Sequence, residues 1–76
     1  MVMINELVRL MTERADKYNL HCWFRFDVRK DFVYIKLMNP VELTEKTYAV
    51  AIPEMLDGGP MYVVNVIMED AIFNLY

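Results

Sequence analysis

The chain has 76 residues, 57% of them hydrophobic, with a formal net charge of −3 and a single cysteine. That length holds one domain (residues 1–76) around one core, and a body so small buries only about 60% of the surface its unfolded chain exposes. One Cys excludes an internal disulfide framework, and no run approaches the roughly 20 apolar residues that cross a bilayer.

The first 20 residues read as a helix. Ile4, Leu7, Val8, Met11, Ala15 and Tyr18 recur at helical spacing, the apolar stripe of an amphipathic helix over about residues 3–18. Glu6, Arg9, Glu13, Asp16 and Lys17 fill the other faces, and Glu13 to Lys17 is a helix-supporting pair of opposite charge. Asn19 suits the left-handed residue that ends a helix, with Leu20 folding back over it. The same segment lacks the basic start, unbroken apolar run and small-residue cleavage site of a signal peptide, so the expected location is the cytoplasm.

The period then changes to two. Cys22, Phe24, Phe26 and Val28 alternate with His21, Trp23, Arg25, Asp27 and Arg29, and Val33, Ile35 and Leu37 alternate with Phe32, Tyr34, Lys36 and Met38. A hairpin with Lys30-Asp31 at its tip pairs Val28 with Val33, Phe26 with Ile35 and Phe24 with Leu37. That register puts all six on one face, and a one-residue slip would expose a whole strand's apolar set. Lys-Asp is not the Asn-Gly type favoured in two-residue hairpins, which leaves room for a longer loop.

Asn39-Pro40 breaks the second strand, and VELTEK reads as a polar connection. Residues 47–52 alternate again, with Tyr48, Val50 and Ile52 inward, until Pro53 ends the strand or marks it as an edge. EMLDGGP reads as a loop. In the last segment, Tyr62-Val63-Val64 and Val66-Ile67 favour a strand by propensity. Val64, Ile67, Met68, Ala71, Ile72 and Leu75 nevertheless form a helical stripe, and Pro60 suits a first helical turn. Helix is the expected state and strand the alternative. The expected fold is α+β: an N-terminal helix, a three-stranded antiparallel sheet and a C-terminal helix (αβββα) in a single small domain.

Catalytic constellations are missing from the pattern. There is no Ser, and Cys22 and His21 are neighbours on opposite faces of a strand, unable to form the pair that activates a thiolate. One Cys and one His fall short of a zinc site, and GGP lacks the spacing and Lys of a phosphate loop. Glu54/Asp57 and Glu69/Asp70 read as solvated surface acids rather than a desolvated acid–base pair. The expectation is a protein without enzymatic activity, metal or cofactor.

A 57% apolar chain exceeds the ~45–50% of an average domain, so part of its apolar surface is expected outside, for a partner or a second copy. Charge is uneven as well: residues 1–38 carry seven basic and five acidic side chains, residues 39–76 one basic and six acidic. The positive charge therefore lies in the first helix and hairpin, and the non-core sheet face concentrates it: Trp23, Arg25, Arg29, Phe32, Tyr34 and Lys36.

Three readings of that face compete. The C-terminal helix covers it as a second core layer, although Arg25 would then be buried opposite Lys36. Alternatively it is open and binds a protein, since Trp, Tyr and Arg are enriched at binding hot spots, with Asp27 pairing diagonally to Arg25 or Lys36 when no partner is present. In the third, its aromatics stack the bases of a single strand while its cations track phosphates, which the acidic second half opposes. Protein binding is the leading expectation, through those six residues. A homodimer, with the apolar C-terminal helix as its seam, is a further alternative.

The opening MINELVRLMTERADKYNL, followed by three strands and an acidic C-terminal half, resembles small phage-encoded inhibitor proteins of the anti-CRISPR kind, in element order and in the character of the first helix. The resemblance implies a stoichiometric binder, acting in the host cytoplasm, that blocks a host nuclease or regulator. It assigns no individual site residue.

Overall fold

The computed structural model describes residues 2–76, with side chains from Ile4 onward. Its elements are α1 (Val2–Lys17), β1 (Trp23–Val28), β2 (Phe32–Asn39), β3 (Thr44–Ala51) and α2 (Ile52–Leu75). The strands form an antiparallel meander in the order β1-β2-β3. Its inward face packs against the helical layer, and α1 lies against α2. The architecture is thus the αβββα arrangement expected from the periodicities.

α1 buries Leu7, Leu10, Met11 and Ala15, whereas Val8 and Tyr18 are exposed. The buried stripe is therefore rotated from the one expected, with Leu10 replacing Val8. The cause is the neighbouring helix: Arg14 donates to Asn65 Oδ1 of α2 at 2.6 Å, drawing that side of α1 inward. The expected Glu13–Lys17 pair is replaced too. Arg9 bridges Glu6 and Glu13, the latter at 2.8 Å, while Lys17 lies over the Tyr18 ring.

The helix ends as the sequence predicts. Asn19 is left-handed (φ 53°), and the amides of Asn19 and Leu20 donate to the carbonyls of Asp16 and Ala15 at 3.1 and 2.9 Å. Both bonds satisfy carbonyls that the helix end leaves free, in a Schellman motif.

The β1–β2 register matches the expected one, with Val28 opposite Val33, Phe26 opposite Ile35 and Phe24 opposite Leu37. The Arg29 amide donates to the Phe32 carbonyl at 2.8 Å around Lys30-Asp31. β2 is the central strand, and its Val33, Ile35 and Leu37 are wholly buried.

The β2–β3 turn is built by Asn39. Its Oδ1 accepts from the amides of Val41 (3.0 Å) and Glu42 (3.2 Å), and its Nδ2 donates to the carbonyl of Leu75 (2.9 Å). One buried amide thereby ties the turn to the end of α2, with Thr44 Oγ1 sharing the same carbonyl at 3.1 Å. β3 begins at Thr44, three residues earlier than its alternation indicates, because it pairs with β2 along its whole length, Asn39 opposite Thr44.

The segment EMLDGGP is helical, not a loop. Pro53 stands in the first turn of α2, where its fixed φ and missing N–H cost nothing, and Met55 is 1% exposed in the core. The glycines and Pro60 instead produce a kink at Gly59 (φ 79°, ψ 167°) inside the helix. Beyond it Val63, Val64, Ile67, Met68, Ala71 and Leu75 are buried, so the C-terminal segment is helix rather than strand. Asp70, expected as a solvated acid, accepts from Lys46 Nζ at 2.7 Å and from the Tyr48 hydroxyl at 2.5 Å. These bonds fasten α2 to β3, and the first of them, with Lys46, holds the Asp70 carboxyl below its ordinary pKa.

Candidate interaction face

Strand alternation places one set of side chains on the sheet surface away from the helices, and the register sets them in rows. Trp23 stands beside Met38 and Glu45, Arg25 beside Lys36 and Thr47, Asp27 beside Tyr34 and Ala49, and Phe32 beside Ala51. Trp23 is 65% exposed, Phe32 42% and Tyr34 38%. The face is open. α2 does not cover it, because the stripe of Val64, Ile67, Met68 and Ala71 joins Val33, Ile35 and Leu37 in the one core. A helix cannot serve both sheet faces.

Five of the six expected residues lie in these rows: Trp23, Arg25, Phe32, Tyr34 and Lys36. Arg29 follows the end of β1, where it pairs with Asp27 at 2.8 Å. That pair corrects the expectation that Asp27 reaches Arg25 or Lys36. Lys36 pairs instead with Glu45 at 3.2 Å. Glu45 escaped the sequence reading because VELTEK looked like a connection, whereas Thr47, Ala49 and Ala51 form the flat third column of small side chains that the alternation of residues 47–52 implied.

Two cations therefore oppose each other directly, Arg25 and Lys36, an arrangement unfavourable by itself. Among the described residues Arg25 forms no ion pair. Two shallow depressions flank this pair. One, of about 230 Å³, is lined by Trp23, Phe24, Arg25, Lys36 and Met38. The other, of about 160 Å³, is lined by Arg25, Asp27, Tyr34, Lys36 and Thr47. Phe32 and Tyr34 pack at 6.3 Å between ring centroids beyond the second. The geometry is aromatic, cation, aromatic along the sheet.

Elsewhere, Cys22 is half-buried, and burial pushes its thiol pKa up, the opposite of what a reactive thiolate requires. Among the described residues no cluster of His, Cys, Asp or Glu is placed to hold a metal ion, and no helix is long and apolar enough to cross a membrane. Fold and face together define a small two-layer α+β domain with one bare sheet surface. Comparison with protein-family models, curated proteins and solved structures gives no match.

Proposed function

We propose that this protein is a non-enzymatic binding module whose open sheet face docks on another protein, in the manner of a phage-type stoichiometric inhibitor of a host nuclease or regulator. The observation that carries this reading is the uncovered face itself, with Trp23 and Tyr34 on either side of the Arg25–Lys36 pair. Trp23 and Tyr34 act as apolar anchors with polar tips. Arg25, left without a carboxylate, selects a partner surface that offers one beside apolar side chains. Lys36 and Arg29, held by Glu45 and Asp27, exchange those partners on docking and set the register.

The test is a Trp23→Ala, Tyr34→Ala double variant. Both side chains stand outside the core, so the variant keeps the far-UV spectrum and the unfolding midpoint of the parent while losing partner capture. Unfolding of the variant would show that the two rings are structural. The electrostatic alternative has its own outcome in the same series. Single-stranded oligonucleotide binding that falls steeply between low and moderate salt would replace the protein partner by a nucleic acid.

A further inference from the structure

α2 is apolar on two opposite sides. Val64, Ile67, Met68 and Ala71 face the core, while Tyr62 (57% exposed), Val66 (51%) and Phe73 (87%) point the other way. At 100° per residue, Tyr62, Val66, Glu69 and Phe73 lie within about 60° of one another. Their spacing of four, three and four is that of a seam between packed helices. A helix apolar on both sides belongs between two layers, and the described residues supply only one.

We infer that the second layer is another copy of this chain, packed α2 against α2 about a two-fold axis with the helices antiparallel. Three observations select this occupant and orientation. The first is shape. A groove of about 520 Å³ lies beside Phe73, lined by Tyr18, Leu20, Glu69 and Ile72. Tyr62 is a preset knob for it, because its ring lies back over Gly58 so closely that a Cβ there would come within 2.6 Å. An antiparallel two-fold sets Tyr62 against the partner's Phe73 and Val66 against the partner's Glu69, so knob meets groove twice, as an isologous interface requires.

The second is charge. Glu54 and Asp57 border Tyr62, whereas Lys17 lies over Tyr18 at the groove end. Antiparallel packing brings Glu54 and Asp57 of each copy toward Lys17 of the other, at the end of a groove that Glu69 also lines, and parallel packing would set Glu54 and Asp57 against their own counterparts. The third is area. Aromatic side chains cover roughly 150–250 Å² each, so the exposed parts of Phe73, Tyr62 and Tyr18 supply roughly 400 Å² per copy. That is about half of the ~800 Å² per partner of a standard interface. Val66, Ile72 and the stems of Glu69 and Lys17 extend it. The dimer leaves both sheet faces outward, and the protein then presents two identical docking faces.

Sedimentation of the full chain at high micromolar concentration tests this. The expected mass is twice the 9.1 kDa of one chain, and Phe73→Glu, at a position outside the core, returns it to 9.1 kDa with its spectrum unchanged. The Trp23→Ala, Tyr34→Ala variant stays dimeric, which separates this seam from the sheet face. Lys17→Glu weakens association several-fold, and adding Asp57→Lys restores it. A monomeric parent, a dimer that survives Phe73→Glu, a dimer lost with Trp23 and Tyr34, or a failure of Asp57→Lys to rescue would each overturn the inference.

Discussion

Asn39→Ala tests the account of how the sheet and α2 are joined. Asn39 is 3% exposed and makes three hydrogen bonds, two to turn amides and one to the Leu75 carbonyl. An ordinary hydrogen bond contributes about 1 kcal/mol net, and a buried group left unpaired costs about 1–3 kcal/mol. The Val41 and Glu42 amides lie in an exposed turn where water can replace Oδ1, so their loss is small. The Leu75 carbonyl keeps only the Thr44 hydroxyl. The expected destabilisation is therefore about 1–2 kcal/mol, a sizeable part of the roughly 4–11 kcal/mol that a domain of this length has in total. With a urea m-value of about 1 kcal/mol/M for so small a protein, the midpoint should drop by about 1–2 M. Thr44→Val alone should cost less than about 1 kcal/mol. In the Asn39→Ala background it should cost more than it does alone, because it then removes the last partner of one carbonyl, a coupling that a double-mutant cycle reads directly. A drop of less than about 0.5 kcal/mol for Asn39→Ala, or strict additivity with Thr44→Val, would refute the shared-acceptor arrangement.

Leu43 is left-handed (φ 59°) and 78% exposed, so Leu43→Gly should stabilise by about 0.5–1 kcal/mol, the relieved strain exceeding the added chain entropy; thermal unfolding measures it. Gly59→Ala should have the opposite sign. Nothing lies within 4 Å of its would-be Cβ, yet φ 79° with ψ 167° is a region almost reserved for glycine, and the cost should be about 1–3 kcal/mol. Asp70 has its pKa lowered by Lys46 and Tyr48, so its contribution is complete above the unfolded value of roughly 3.9 and disappears as pH falls through the lower folded value. Urea midpoints of the parent should therefore fall more between pH 6 and pH 2.5 than those of Asp70→Asn; parallel curves would show that the Lys46–Asp70–Tyr48 cluster carries no linkage.

The local patterns of this chain are strong because they repeat within one element. The period of two across Phe24, Phe26, Val33, Ile35 and Leu37 fixed both the hairpin and its register. Asn19 announced the end of α1, and the stripe ending at Leu75 outweighed the strand propensity of Tyr62 to Ile67. The outward row of Trp23, Arg25, Phe32, Tyr34 and Lys36 was equally legible as a row.

What the row faces was not legible, since it depends on which side of the sheet two distant helices choose. The same limit explains the smaller departures. Leu10 displaces Val8 because Arg14 meets Asn65 across 51 residues of sequence. Residues 53–58 are helical because Met55 reaches a core that other elements build, while the Gly-Gly-Pro signal is met by a kink. Thr44 and Glu45 join β3 because β2 offers them hydrogen-bonding partners. The sequence by itself thus determined the elements, their order and the apolar face of each strand, all consequences of backbone period and side-chain size. Only the tertiary structure decided that both helices share one sheet face, leaving Trp23 and Tyr34 in the open and Tyr62, Val66 and Phe73 bare on the opposite side. That choice is a matter of burying the most apolar area among segments far apart in the chain, and no local pattern contains it.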